Sequence, residues 1–95
     1  MGATGTATID FGAAPGGNRA PDLVVTGQAA ILSGSYVEAW MAADTSADHN
    51  VEEHALAATW TAFACGAIAA GTGFTIFGRA KTALTGVWTV RWVWN

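Results

Sequence analysis

Close to the C-terminus, Val87-Trp88-Thr89-Val90-Arg91-Trp92-Val93-Trp94 places Trp88, Val90, Trp92 and Trp94 on one side of an extended chain. Val87, Thr89, Arg91 and Val93 fall on the other side. Alternation with a period of two is the mark of a β-strand, and no other segment of the chain displays it as strongly. A stripe that mixes tryptophan with valine suits a protein core or a subunit interface better than a row of stacking platforms for sugars. Trp40, Trp88, Trp92 and Trp94 are therefore the aromatic residues expected in a core or an interface.

The rest of the chain follows the same period. In Thr6 to Phe11, Ala7, Ile9 and Phe11 oppose Thr6, Thr8 and Asp10, which predicts a first strand. The run from Gly12 to Asn18 is rich in Gly and Pro and predicts a loop. Leu23 to Gln28 predicts a second strand. Tyr36 to Met41 predicts a third, bulky on both sides and so expected to meet the core with one face and a neighbour with the other. From Ala55 to Ala70 the signals conflict. Leu56, Trp60, Phe63 and Ala67 are spaced as on a helix, whereas Thr59, Thr61 and Phe63 alternate with Trp60, Ala62 and Ala64; strand is the preferred reading. Phe74 to Phe77 predicts one more short strand after the Gly71-Thr72-Gly73 turn. The expected fold is all-β: one domain over residues 1–95, a β-sandwich or barrel of about six to seven short antiparallel strands.

Only 12% of the 95 residues are charged, about half the usual share for a soluble domain, against 52% hydrophobic. So few charges leave apolar or neutral surface that another protein surface is expected to cover, and a chain with the single cysteine Cys65 has no internal disulfide to supplement its small core. The net charge is −3, and Arg19, Arg79, Lys81 and Arg91 form no basic run, which argues against nucleic acid as a partner. The N-terminal residues do not read as a secretory signal, and the uncharged stretch Ala55 to Gly78, interrupted by glycines, is not expected to span a membrane. The final strand runs to the penultimate residue, as expected of a part fitted into an assembly.

Chemistry has one foothold, the polar segment Asp44 to His54, which holds four of the seven acids and both histidines. His49 and His54, flanked by Asp48 and Glu53, are candidate metal ligands, but the spacing matches neither a helical His pair nor a calcium loop. The preferred reading is an exposed connector whose Asp44, Asp48, His49, Glu52, Glu53 and His54 lie at a subunit contact. Arg79, Lys81 or a neighbour would supply the counter-charge. Cys65 sits in an apolar neighbourhood and no nucleophile elbow occurs, so no catalytic residue, enzymatic activity or cofactor is expected.

Several phrases resemble a family of small proteins encoded by tailed bacteriophages, and the resemblance spans nearly the whole chain. They are Thr6-Ala7-Thr8-Ile9-Asp10-Phe11-Gly12, Val25-Thr26-Gly27-Gln28, Val37-Glu38-Ala39-Trp40, Ala47-Asp48-His49-Asn50-Val51-Glu52-Glu53-His54, Gly71-Thr72-Gly73-Phe74-Thr75-Ile76 and Trp88-Thr89-Val90-Arg91-Trp92-Val93-Trp94-Asn95. Members of that family carry hypothetical or virion-structural labels. The resemblance implies a particle component made in the host bacterial cytoplasm and supplies no catalytic residues to carry over. It leads to the expectation of a capsid decoration or cement protein on the capsid surface, a homo-oligomer with a trimer among its candidate states, contacting the major capsid protein or another virion protein. A tail, neck or fibre subunit and a carbohydrate- or receptor-binding module are the alternatives.

Overall fold

The computed structural model describes residues 2–95. Its elements are β1 (Ala3–Asp10), β2 (Asp22–Val25), β3 (Val37–Trp40), α1 (Val51–Ala57), β4 (Thr61–Ala69), β5 (Gly73–Ala80) and β6 (Val87–Trp94). The strands form two antiparallel sheets, ordered β1-β6-β3 and β2-β5-β4, so the fold is all-β as expected from the sequence, and of the sandwich and the barrel it is the sandwich.

The strand with the strongest alternation organises the molecule. β6 pairs along its whole length with β1, from Ala3 opposite Trp94 to Asp10 opposite Val87. On its other side it pairs with β3 only between Val37 opposite Trp94 and Trp40 opposite Arg91. Trp88, Val90, Trp92 and Trp94 all point inward and are buried. At about 1.5–3 kcal/mol for each large apolar side chain fully buried, these four contribute about 6–12 kcal/mol, comparable to the whole net stability of a small domain. They meet Phe74 and Ile76 of β5 together with Ile9, Phe11, Ile31 and Met41 in a single core cluster. Trp92 and Phe74 meet edge to face, with ring centroids 5.5 Å apart.

Close approach explains Gly5. It lies opposite Trp92, and a Cβ there would stand 2.4 Å from the indole ring, so only glycine lets the ring lie over β1. The indole N–H of Trp92 is buried without an acceptor.

Several boundaries differ from expectation: β1 begins at Ala3 and not at Thr6, and β3 is Val37–Trp40 within the expected Tyr36 to Met41. β2 ends at Val25 and not at Gln28. The ambiguous stretch from Ala55 is helix to Ala57 and strand from Thr61, so each periodicity holds over part of the segment that strand alone was expected to fill. β5 runs on to Ala80, past Phe77. The third strand keeps Ala39 and Met41 in the core, while Trp40 is 43% exposed on the outer face and Tyr36 is 83% exposed just before the strand. No helix of the described residues is long and apolar enough to cross a membrane; the stretch from Ala55 to Gly78 is the end of α1, β4 and most of β5.

Candidate functional site

The polar segment folds for a local reason. Asn50 is the N-cap of α1: its side chain accepts from the Glu53 N–H at 2.8 Å, and the Glu53 carboxylate accepts from the Asn50 N–H at 2.8 Å. This reciprocal capping box satisfies two of the donors that a helix start leaves bare. The helix is therefore nucleated inside the stretch expected to be an exposed connector.

What the segment does is set by where β3 stops. Pairing with β3 ends at Arg91, which leaves the β6 edge bare from Val87 to Thr89, and side chains from residues 44–54 occupy it in place of a strand. The Asp48 carboxylate accepts from the Val87 N–H at 2.8 Å. The Ser46 hydroxyl donates to the Val87 carbonyl at 2.6 Å. His54 Nε2 accepts from the Thr89 N–H at 3.0 Å, and the Thr89 hydroxyl donates to the Thr45 carbonyl at 2.5 Å. An unsatisfied backbone donor at a buried edge costs about 1–3 kcal/mol, so these contacts close the sheet as a ladder would. Gly86 makes room for them: its φ is +79°, and a Cβ would stand 2.8 Å from the Asp48 carboxylate.

Both histidines are consumed by this arrangement, which corrects the expectation that they lie exposed at a contact. His54 is 0% exposed. A backbone N–H can only donate, so Nε2 is the acceptor and Nδ1 carries the proton, donated to the Asn50 carbonyl at 2.9 Å. His49 is stacked on Trp88, with ring centroids 3.6 Å apart and planes 14° from parallel, and its Nε2 lies 2.7 Å from the Thr85 carbonyl. Its Nδ1 faces the Glu53 carboxylate at 3.5 Å, with no hydrogen-bond partner. Among the described residues no three His, Cys, Asp or Glu side chains converge as metal ligands, and His54 has no lone pair free for an ion.

The acids are separated by task. Asp44 pairs with Arg91 at 3.0 Å. Arg79 pairs with Asp22 at 3.1 Å, so the counter-charge of the segment is Arg91 and not Arg79 or Lys81. The Thr45 N–H, and then the Arg91 guanidinium, hold the Asp44 carboxyl below its usual value. The Asn50 N–H does the same for Glu53, helped by His49. Glu52 is exposed on the first turn of α1. Cys65 is half-buried, and loss of hydration, with Glu38 adding to it, pushes its thiol up to about 11.

Beside the capped edge lies a surface that sequence reasoning missed. Leu56 and Trp60, at the end of α1 and just past it, are 55% and 42% exposed. A shallow hollow of about 270 Å³ joins them to Glu53, His49 and Trp88. On the far side of Trp60 a second hollow of about 350 Å³ is lined by Arg19, Arg79 and Lys81, three of the four cations in the chain. The Lys81 N–H bonds the Trp60 carbonyl at 3.0 Å, which fixes the β5 end of this cluster against the tryptophan. Residues 19, 60, 79 and 81 meet only through the sheet order, and no sequence spacing announces them.

The four singled-out tryptophans divide accordingly: Trp88, Trp92 and Trp94 belong to the core of the chain itself, and Trp40 lies on the outer face above Arg91. No family model, curated protein or solved structure matches this chain.

Proposed function

We propose that this chain is a non-enzymatic structural subunit of a tailed-phage particle, of the capsid decoration or cement type, and that it docks on a neighbouring virion protein through the Leu56–Trp60 surface. The observation that carries the reading is the grouping of an exposed tryptophan and leucine with Arg19, Arg79 and Lys81 in a chain that is otherwise acidic and sparsely charged. Tryptophan and arginine are the residues enriched where interfaces carry their binding energy, and a basic rim suits an acidic protein surface. The resemblance to small tailed-phage proteins supports the particle as the setting. The sugar-binding alternative loses its expected platform, because three of the tryptophans it would use are buried.

The test is co-sedimentation with purified particles lacking the protein. Trp60→Ala at a binding hot spot costs at least about 2 kcal/mol, or roughly thirtyfold in affinity, and Lys81→Glu with Arg19→Glu weakens binding further at low salt. Because these side chains are exposed, the melting temperature should hardly move. Attachment unchanged in all three substitutions refutes the docking surface. Attachment to isolated tails and not to heads, or a copy number far below that of the major capsid protein, moves the subunit to the tail, neck or fibre.

A further inference from the structure

The two long outer strands of the sandwich are unlike each other. β4 is bulged between Gly66 and Ala69, with Ala67 at a φ of 49°, and β3 lies against it. β1 has no such protection. It is regular from Ala3 to Asp10, and among the described residues no backbone group outside β6 bonds to its backbone. Folded monomers blunt a free edge with lysine, proline or a bulge, because a bare row of N–H and C=O groups is a template for another strand. β1 carries none of these, and its only charge is Asp10 at its end.

We infer that β1 pairs antiparallel with β1 of a second copy about a two-fold axis at Thr6, joining two three-stranded sheets into one of six strands. Three features of the strand select a copy of itself as the occupant. With Thr6 opposite Thr6, Thr4 of each chain faces Thr8 of the other, and the exposed side chains Thr4, Thr6 and Thr8 form a threonine ladder, a favourable cross-strand pairing. On the inner side Ala3 meets Ile9 and Gly5 meets Ala7; Ala3, Gly5 and Ala7 are only half-buried in the single chain, whereas Ile9 is already part of its core. Asp10 falls opposite Gly2, so no like charges are apposed. The contact is isologous and closes at two, with about six to eight new backbone hydrogen bonds. It lies on a different surface from the Trp60 docking site, and neither reading depends on the other.

Sedimentation equilibrium of the purified chain tests the inference, and a dimer is the expected result. Thr4→Lys with Thr8→Lys places like charges opposite each other at two symmetric places and should give a folded monomer, with an unchanged circular dichroism spectrum because both threonines are exposed. Thr4→Lys with Thr8→Glu makes the same two pairs complementary and should restore the dimer. In a Cys65→Ser background, Thr6→Cys should cross-link under mild oxidation, since the two introduced thiols face each other on the axis. A parent chain that is monomeric or trimeric, a dimer that survives the double lysine substitution, or a Thr6→Cys chain that does not cross-link overturns the inference. Particle attachment is measured separately and does not bear on these outcomes.

Discussion

Replacing His54 with leucine keeps most of the side-chain volume and removes both polar atoms from a site that is 0% exposed. The Asn50 carbonyl keeps a donor, because the backbone N–H of His54 also bonds to it at 3.1 Å. The Thr89 N–H does not: its acceptor is His54 Nε2, and β3 ends too early to offer another. The substitution therefore strands one buried backbone donor, which costs about 1–3 kcal/mol. Alanine strands the same donor and leaves the space of the ring empty as well. Large-to-small core substitutions alone cost about 2–5 kcal/mol, so with the stranded donor His54→Ala is expected to lose about 3–8 kcal/mol, a large part of the 5–15 kcal/mol that holds a domain of this size. Urea unfolding followed by tryptophan fluorescence measures both variants, since Trp88 lies beside the imidazole at 5.0 Å between centroids. Hydrogen exchange should show the Thr89 amide losing protection in both. A His54→Leu protein as stable as the parent, with Thr89 still protected, refutes the idea that this histidine closes the β6 edge.

The Trp92 indole N–H is buried without an acceptor, so Trp92→Phe, which drops that N–H, should stay within about 1 kcal/mol of the parent while Trp92→Ala loses about 3–5 kcal/mol; equal losses in urea midpoints would refute the reading. Cys65, with its thiol pushed up to about 11, should react with iodoacetamide at pH 8 far more slowly in the folded chain than in urea, and equal rates would contradict its burial. Asp44 and Glu53 titrate lower folded than unfolded, from ordinary values of 3.8 and 4.5, so the stability they add is present above about pH 4.5 and is lost as pH falls through the lowered values. Melting temperatures taken from pH 6 to pH 2 should fall in that window and fall less steeply in Asp44→Asn with Glu53→Gln; identical slopes would refute it.

The sandwich was legible because burial is periodic. β1 and β6 each present one face to the core, and a period of two survives in sequence as alternation. The tryptophan stripe was legible for the same reason. Helix α1 was readable in principle, since Asn50-Val51-Glu52-Glu53 carries the N-cap and the Glu three positions on that make a capping box. Its acids read as charges to be solvated, and a helix of seven residues is too short for apolar periodicity to outweigh them. The partners of Asp48, His49 and His54 were not readable at all. They are backbone groups of Thr85, Val87 and Thr89, more than thirty residues away, and backbone groups leave no trace in a sequence. The cluster of Arg19, Arg79 and Lys81 is hidden in a similar way, because it exists only where the loop before β2 meets the end of β5.

The side-chain closure of β6 also removes part of one sheet edge from further growth. A sheet open at both ends adds strands without limit, the geometry of a fibre. Here the β6 edge left bare by β3 is filled by the carboxylate, hydroxyl and imidazole of Asp48, Ser46 and His54, groups that leave no alternating row of donors and acceptors for a further chain to read. Polymerisation chemists would call this stretch of the sheet end-capped: from Val87 to Thr89 it keeps no coupling group, and from Arg91 to Trp94 the outer strand is β3.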